Sequence, residues 1–424
     1  MPLRLFCAAL LTALSLSLQA AEPVPVRVSI TEFNATGDGR TVSTQAIQNA
    51  IDHLAQNGGG TVVVPEGVFT TGALFLKPGV NLHLDKGAVL RGSTFVEDYP
   101  RTLTRIEGHS EEWRPALLNA SKVDHLRITG EGMLEGSGQP FWQLFWKRLA
   151  ADKKTKNLDV ERPRLVYIDS CNDVVISGIT LKDSGFWNLH IYRCREVSVE
   201  NLSISAPIGA PSTDGIDIDS SQNVSIRGCS ISVDDDCIAL KGSKGPLALD
   251  DKDSPPVEHI RISHCTFALG HGVVTLGSEA TIVRDVVVEN CRVISASSLR
   301  SNSVVRLKLR PDTPQTYEDI HFNAITVEGH GQLISIDPWT QYFDLKGRTP
   351  PQSTVRNITI SNITGSYDSL GSIKGHDNVT VSAITLENIK LTLKNTGFRL
   401  GPVGDLVIKN VVINGQPFEA PSGR

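Results

Sequence analysis

Acidic and basic side chains occur in four short clusters along the middle of the chain. The clusters are Ser-Thr-Asp-Gly at 212–215, Asp-Asp-Cys at 235–237, Gly-His-Gly at 270–272 and Arg-Leu-Lys at 306–308. Carboxylates and a histidine are the groups that protonate a glycosidic oxygen and activate a water, and paired cations suit a sugar carboxylate. Together these residue types indicate a glycosidase that acts on an acidic sugar polymer.

Each cluster taken alone also fits an ordinary structural role. Asp214 with Gly215 is a common turn pair, the acidic run 234–236 is typical of a solvated corner, and His271 between two glycines is typical of a loop. The occurrence of all four clusters in this order, at spacings that match one repeating pattern, favours a shared functional site.

The clusters lie on a strand pattern that recurs from about residue 120 onward. Each copy has a polar residue followed by alternating apolar and polar residues, many of them β-branched, which predicts strands. Their return about every 20 to 30 residues predicts a solenoid of parallel strands. The first apolar residues of the copies are Leu126, Val174, Val197, Val224, Ile260, Val286, Ile320, Ile358, Val379 and Leu406.

A β-sandwich is the main alternative for an all-β chain. It would require turn signals about every 8–12 residues, and the sequence has no regular series of them. Longer intervals between strands, such as the polar stretch 243–256, are interpreted as insertions between turns of the coil. We therefore predict an all-β fold, a right-handed parallel β-helix.

The N-terminal region is predicted to contain a signal peptide, followed by a helix that caps the start of the coil. Residues 1–21 have the form of a signal peptide, because Arg4 precedes the apolar run 5–18. The remainder, 22–424, is predicted to be one domain, because no linker-like change of composition divides it. Strands at 61–64 and Val80–Leu84 would begin the coil. An amphipathic helix before them would cap its open end, with the apolar residues Ile47, Ala50, Ile51, Leu54 and Ala55.

The clusters are expected to converge on one face of the coil. Residues one turn apart lie above one another at the strand spacing of about 4.8 Å, and Asp214 lies 21 residues before Asp235. His271 and then Arg306 each follow after one further turn and an insertion. Asp217 differs from Asp214 in strand parity, as does Asp219, so on a regular strand they need not face the site, and neither is counted among the site residues.

The order Thr-Asp-Gly, Asp-Asp-Cys, Gly-His-Gly, Arg-x-Lys resembles the polygalacturonase family, glycoside hydrolase family 28, in its bacterial form. The similarity extends to Gly-Gly-Gly-Thr-Val-Val-Val-Pro at 58–65, Arg-Pro-Arg at 162–164 and Phe-Trp-Asn-Leu-His at 186–190. It covers nearly the whole chain after the signal peptide. The resemblance implies an inverting hydrolase that cleaves α-1,4-linked galacturonate in pectin.

The resemblance also implies catalytic roles for four residues. Asp235 is expected to be the general acid, and Asp214 and Asp236 are expected to activate the water. His271 is expected to set the protonation state of the acid. Elementary electrostatics agrees, because neighbouring carboxylates cannot all ionise cheaply and one of them can keep a proton for donation.

Substrate binding is expected to depend on cations and aromatic rings. The resemblance implies that Arg306 and Lys308, whose side chains face the same side of a strand, bind a galacturonate carboxylate. Trp339 and Tyr342 are candidates for stacking on sugar rings, although aromatic residues on a solenoid face are equally often ordinary packing residues.

Three positions depart from the family pattern. Ser212 stands where the family usually has Asn, and Asp234 stands where it usually has Gly or Gln. Arg310 adds a cation after the Arg-x-Lys motif. These changes affect sugar contacts, so they bear on the choice of substrate more than on the reaction.

Composition restricts the partners. The net charge of −5, without a basic run, argues against nucleic acid, and no segment after the signal is apolar enough to cross a membrane. We expect a secreted or periplasmic monomer that acts on pectic polysaccharide or oligogalacturonides without a cofactor or metal. The six cysteines after residue 21 could form disulfides, but their recurrence in the repeat favours stacking in the core: Cys171, Cys194, Cys229, Cys237, Cys265 and Cys291.

Alternative functions remain open at this point. A hydrolase of rhamnogalacturonan would use the same groups, and a β-helix polysaccharide lyase would need calcium at the acidic cluster. A non-catalytic adhesin would not require these motifs. Internal or terminal cleavage depends on whether insertions at 97–115, 139–162 and 337–353 wall off the cleft.

Overall fold

The computed structural model of the protein describes residues 26–299 and 302–419. The predicted signal peptide at 1–21 lies outside these residues. Strands dominate the described part of the chain and pair in parallel from turn to turn. The prediction of a right-handed parallel β-helix is therefore confirmed.

The strands of the first turns and of the insertions are short. They are β1 Arg27–Ser29, β2 Asp38–Val42, β3 Gly60–Val64, β4 Gly67–Thr71, β5 Leu74–Leu76, β6 Val80–Leu84, β7 Ala88–Gly92, β8 Thr102–Ile106, β9 His109–Trp113, β10 Leu118–Ser121, β11 Arg127–Gly130, β12 Met133–Glu135, β13 Val166–Asp169, β14 Asn172–Ser177, β15 Thr180–Lys182, β16 Leu189–Tyr192, β17 Arg195–Glu200 and β18 Ser203–Ser205.

The strands from residue 216 onward include short ones and four long ones of 10 to 22 residues. They are β19 Ile216–Asp219, β20 Gln222–Arg227, β21 Ser230–Ser232, β22 Ile238–Lys241, β23 Val257–Ser263, β24 Thr266–Phe267, β25 Gly272–Leu276, β26 Ile282–Glu289, β27 Arg292–Ser295, β28 Asn302–Leu309, β29 Thr316–Gly329, β30 Gly331–Pro338, β31 Ser353–Ile373, β32 Val379–Leu400, β33 Gly404–Ile413 and β34 Gln416–Pro417.

Three parallel ladders form the faces of the coil. The first contains β5, β10, β13, β16, β19, β22, β25, β28 and β30. The second runs from β1, β3, β6 and β11 through β26, and the third from β2, β4 and β7 through β27. Both continue into the long strands β29, β31, β32 and β33.

The core is a stack of aliphatic side chains that point inward at matching positions. In the first ladder Ile216 aligns with Ile238, and this column continues through Val274, Val305 and Ile334, all fully buried. Burying each such side chain contributes about 1.5–3 kcal/mol. The six cysteines are buried free thiols, as the repeat predicted.

The predicted capping helix is present as α1, Thr44–Gln56. Its apolar stripe is buried at Ile47, Ala50, Ile51 and Leu54, and the helix lies against β3 and β5. The strands predicted next to it are β3 and β6. The open N-terminal end of the coil is therefore covered as expected.

The insertions contain structure that the repeat pattern did not predict. The segment 97–115 forms the antiparallel hairpin β8–β9, and 139–162 contains the helix α2, Gln139–Ala151. Short 3-10 helices lie at Ile30–Phe33, Val96–Asp98, Asn157–Asp159 and Ala248–Asp250. Neither α1 nor α2, nor any other helix within 26–299 and 302–419, has the length and apolar character needed to cross a bilayer.

Candidate active site

The predicted site residues come from four successive strands of the first ladder. The two Asp clusters and the histidine immediately precede β19, β22 and β25, whereas the cations lie inside β28. Backbone hydrogen bonds join the turns, because Gly215 donates to Asp236 and His271 donates to Asp235. The turn spacing thus brings together Asp214, Asp235, Asp236, His271, Arg306 and Lys308.

Three carboxylates form the centre of the site. One carboxylate oxygen from each of Asp214, Asp235 and Asp236 lies within 4.8 Å of the other two. The side chain of Asp235 is 26% exposed, whereas those of Asp214 and Asp236 are 4% and 0% exposed. Asp235 is therefore the carboxyl that a ligand in the cavity can reach most directly.

Asp236 is fixed by two cations. Arg306 Nη1 lies 2.7 Å from Asp236 Oδ1, and Lys308 Nζ lies 2.7 Å from Asp236 Oδ2. Burial opposes ionisation of this carboxyl, but Lys308 and Arg306 outweigh it and hold the pKa of Asp236 far below its usual value. Asp236 is an anion at any working pH, and both cations are engaged with it.

Asp235 forms an ion pair with His271. The distance from His271 Nδ1 to Asp235 Oδ1 is 3.3 Å. Burial raises the pKa of Asp235, yet its hydrogen bond to His271 outweighs this and leaves the pKa below its usual value. The pKa of His271 is raised, because contact with Asp235 exceeds the opposite effect of burial. The pair thus shares one proton, which resides on the imidazole when no ligand is bound.

Asp214 is the carboxyl with the opposite shift. Burial and the neighbouring charge of Asp235 raise the pKa of Asp214 to about 7, although the nearby Lys241 lowers it. Lys241 Nζ lies 3.3 Å from Asp214 Oδ2. Asp214 is therefore partly protonated near neutral pH, whereas the shift of Asp235 favours its anion.

Asp217 and Asp219 do not line the cavity, although Asp217 lies close to the site residues. In the strand register Asp217 aligns through Ala239 and Thr275 with Arg306, so it lies on the same side of the strands as Arg306. Its Oδ1 lies 3.5 Å from Lys241 Nζ, and its side chain is fully buried. Strand parity does not relate Asp217 to Asp214, because Asp214 precedes β19 and does not follow the alternation of that strand.

Asp219, on the same face, belongs to a different network. Its carboxylate lies 3.3 Å from Arg105 Nε and 3.4 Å from His190 Nε2, and all three side chains are buried. Arg105 comes from the hairpin β8–β9, so this network anchors the hairpin against the coil.

The site opens into a cavity of about 420 Å³. All three insertions that the sequence marked as walls contribute to it, with Glu107 from the first, Trp146 from the second and Tyr342 from the third. Lys156 Nζ lies 6.0 Å from the centre of the Tyr342 ring, so the second and third walls come close to each other at Tyr342.

Trp339 and Tyr342 both line the cavity, but their surroundings differ. Arg306 and Lys308 lie over the Trp339 ring, with Nζ of Lys308 4.7 Å from the ring centre. The Tyr342 side chain is 42% exposed. Trp339 therefore supports the cations that hold Asp236, whereas Tyr342 presents more of its ring to the cavity.

The three departures from the family pattern all have structural roles. Ser212 Oγ accepts a hydrogen bond from Arg162 at 3.2 Å, and Asp234 Oδ2 accepts one from the Gly209 amide at 2.9 Å. Arg310 does not bond to Asp214, Asp235 or Asp236. It forms a bidentate pair with Asp312 and donates to the carbonyls of Gln341 and Tyr342. Arg310 thus positions the third wall.

The acidic cluster is poorly suited to a divalent cation. Its negative charge is already balanced by ammonium and guanidinium groups, with Lys241 at Asp214 and both Arg306 and Lys308 at Asp236. A calcium ion would have to displace these cations, since it prefers six to eight oxygen ligands. The geometry agrees with a carboxylate-based hydrolase and not with a calcium-dependent lyase.

A parallel β-helix whose outer face gathers carboxylates, a histidine and cations defines a class of carbohydrate-active enzymes. Residues 56–401 match the family model for glycosyl hydrolases family 28, and the chain belongs to this family. It is a glycoside hydrolase.

Similar proteins agree with this assignment. An exopolygalacturonase of Zea mays is 28% identical over 380 residues, which cover 87% of this chain and 84% of the relative. An endo-polygalacturonase of Pectobacterium carotovorum subsp. carotovorum is 27% identical, covering 84% and 86%. In fold the chain is similar to an exopolygalacturonase from Thermotoga maritima, with a TM-score of 0.70, 24% identity and 93% of both chains covered.

Proposed function

We propose that the chain is an inverting hydrolase that removes galacturonate units from the ends of α-1,4-linked galacturonan. The observation that carries the chemistry is the group of three carboxylates within 4.8 Å, of which only Asp235 is paired with a histidine and partly exposed. The proposal assigns separate tasks to the groups on the two sides of the scissile bond.

Asp235 donates the proton to the glycosidic oxygen. The Asp235–His271 pair carries one proton between the lowered pKa of Asp235 and the raised pKa of His271, and binding of the leaving oxygen at Asp235 draws that proton onto the carboxyl. The proton is lost as pH rises through the pKa of His271. Activity should therefore decline on the alkaline side of this pKa, and His271→Gln should remove that control.

Asp214 and Asp236 hold and activate the water. Asp236 is a poor proton acceptor because Arg306 and Lys308 stabilise its charge, so it orients the water. The pKa of Asp214, about 7, suits a general base, and we assign the proton of the water to this residue. Asp214 is ionised above this pKa and protonated below it, so the acid limb of the pH profile should report Asp214.

The stereochemical outcome is assigned from the family resemblance together with the roles of the carboxylates. Inverting glycosidases generally separate the two carboxyl groups by about 6.5–9.5 Å, and retaining ones by about 5–5.5 Å. The 4.8 Å limit found here joins single oxygens of Asp214, Asp235 and Asp236 and not whole carboxyl groups, so it does not distinguish the two classes. We assign inversion because Asp214 and Asp236 act together on one water, which leaves no carboxylate free to attack the sugar.

The substrate carboxylate is recognised by the basic lining of the cavity. Arg306 Nη1 donates a hydrogen bond to Asp236, and the guanidinium has further N–H groups that can donate to a uronate carboxylate. Lys153 and Lys244 also line the cavity, from the second wall and from the turn after β22. A neutral sugar polymer would not require this distribution of charge.

Action at chain ends is supported by the insertions around the cavity. The second and third walls come close at Lys156 and Tyr342, and Lys244 pairs with Glu107 of the first wall at 3.5 Å. Walls of this kind would restrict the passage of a polymer and favour binding of a chain end. The predicted signal at 1–21 supports export.

The proposal is tested by following products from polygalacturonate, rhamnogalacturonan and short oligogalacturonides. We expect monomer or dimer to accumulate from the first time points on polygalacturonate, with little early loss of viscosity. A ladder of intermediate oligomers with rapid loss of viscosity would contradict chain-end action. Cleavage restricted to rhamnogalacturonan would contradict the substrate, and products absorbing in the ultraviolet would indicate a lyase.

A further inference from the structure

Lys241 is a buried cation that the catalytic assignment does not use. It ends β22, five residues after Asp236, and its side chain is only 5% exposed. Its Nζ lies 3.3 Å from Asp214, 3.5 Å from Asp217 and 3.7 Å from Glu279, and 4.6 Å from the centre of the Trp187 ring.

The surroundings of Lys241 connect it to the reaction at one point. Among its three carboxylate neighbours only Asp214 belongs to the group that faces the scissile bond, whereas Asp217 is fully buried behind it. The buried carboxyl of Asp217 interacts with Lys241, at 3.5 Å, and with Asp214. Lys241 is therefore the main compensating charge for this buried acidic layer.

We propose that Lys241 is a positioning residue that holds Asp214 in place and keeps it able to accept a proton, with Glu279 setting how much of the Lys241 charge reaches Asp214. The inference rests on the proposed role of Asp214 as the base. It adds a layer behind the family motif, which acts on the catalytic carboxylate without touching the reacting atoms.

The ionisation of the carboxyls around Lys241 agrees with the proposal. Burial raises the pKa of Asp217 far above its usual value, with a further contribution from Asp214, which favours the neutral form of Asp217. Burial opposes ionisation of Glu279, but Lys241 outweighs it and lowers the pKa of Glu279. Lys241 and Glu279 then form an ion pair. The positive charge of Lys241 that Glu279 does not balance stabilises the ionised form of Asp214.

Other charged groups also act on these side chains, and variants must be interpreted against them. The titratable and charged groups that act on Asp214 and Lys241 are Arg162, His190, Asp217, Asp235, Asp236, Glu279 and Lys308.

The test is the pH profile of kcat for two substitutions with opposite expected effects. Lys241→Met removes the cation beside Asp214, so the acid limb should move to higher pH by about one to three units, the usual effect of one neighbouring charge. Glu279→Gln removes the carboxylate that competes with Asp214 for Lys241. Lys241 should then stabilise the ionised form of Asp214 more strongly, and the acid limb should move to lower pH. Lys241→Arg should restore the limb toward its wild-type position.

Controls separate folding from function. The double variant Lys241→Met/Glu279→Gln removes one charge of each sign, so it should fold even if the single variant does not, and its acid limb should still lie above that of wild type. Lys409→Met is the matched surface change, because Lys409 forms an exposed pair with Glu387 at 2.6 Å, and its profile should be that of wild type.

The role of Lys241 would be overturned if the wild type is active and the acid limb does not move in a folded Lys241→Met variant or in the folded double variant. A uniform loss at every pH would do the same, since a merely structural role predicts it. Absence of galacturonan hydrolysis by the wild type would instead overturn the proposed function itself.

Discussion

Replacement of Asp235 by Asn tests the assignment of the general acid. The amide has nearly the same shape as the carboxyl but cannot donate the proton that the leaving oxygen requires. The side chain of Asp235 is 26% exposed and its partner His271 is 37% exposed, so the change leaves no buried charge without compensation. Asp236 keeps both Arg306 and Lys308. We therefore expect a folded protein with a chemical defect.

The magnitude follows from the role. Loss of general acid catalysis costs about 10²–10⁴ in rate, which corresponds to roughly 2.7–5.4 kcal/mol in the activation barrier. KM should change little, because Asp235 acts mainly in the transition state. The pKa of His271 should fall toward its ordinary value once the carboxylate is removed.

The assay is release of reducing ends from oligogalacturonides of defined length, with thermal unfolding measured in parallel. Asp377→Asn, at an exposed position before β32, is the matched control and should retain wild-type turnover. Turnover of Asp235→Asn within a few-fold of wild type would refute the role of Asp235. A large loss of thermal stability would refute the inference that the site tolerates the amide.

Three further predictions follow from the site. Lys308→Met should lower kcat/KM on uronate substrates by an amount equivalent to about 1.5–3 kcal/mol, and on esterified substrates by less, when both rates are measured with the same preparation. Equal losses would mean that Lys308 serves only Asp236. A chelator should leave the initial rate unchanged, because cations of the protein already neutralise the carboxylates, and restoration by calcium would contradict this. Arg310→Met should loosen the third wall and raise KM more than it lowers kcat, and the reverse pattern would place Arg310 in the chemistry.

Much of the fold could be predicted from the sequence because the coil repeats its hydrophobic period. Inward residues such as Ile216 and Ile238 must stack on one another to be buried, which fixes the register and brings Asp214 above Asp236. The same logic located α1 as a cap. The helix α2 was missed because it lies in an insertion, outside the period.

The finer geometry of the site depends on contacts between distant residues. Arg306 and Lys308 reach Asp236 across about 70 positions of sequence, so their engagement with a carboxylate of the protein could not be predicted from spacing. Lys241 gave only a weak signal, a charged residue at the end of an otherwise apolar strand. Which carboxyl carries the proton depends on burial, which the sequence does not specify.

The most direct test of the mechanism is the configuration of the first product. Early-time proton NMR of an α-1,4-linked oligogalacturonide during hydrolysis reports the anomer before mutarotation. Activation of one water by Asp214 and Asp236 opposite Asp235 predicts that the β-anomer appears first. Initial release of the α-anomer would contradict this mechanism, and would mean that one of the three closely spaced carboxylates attacks the sugar directly.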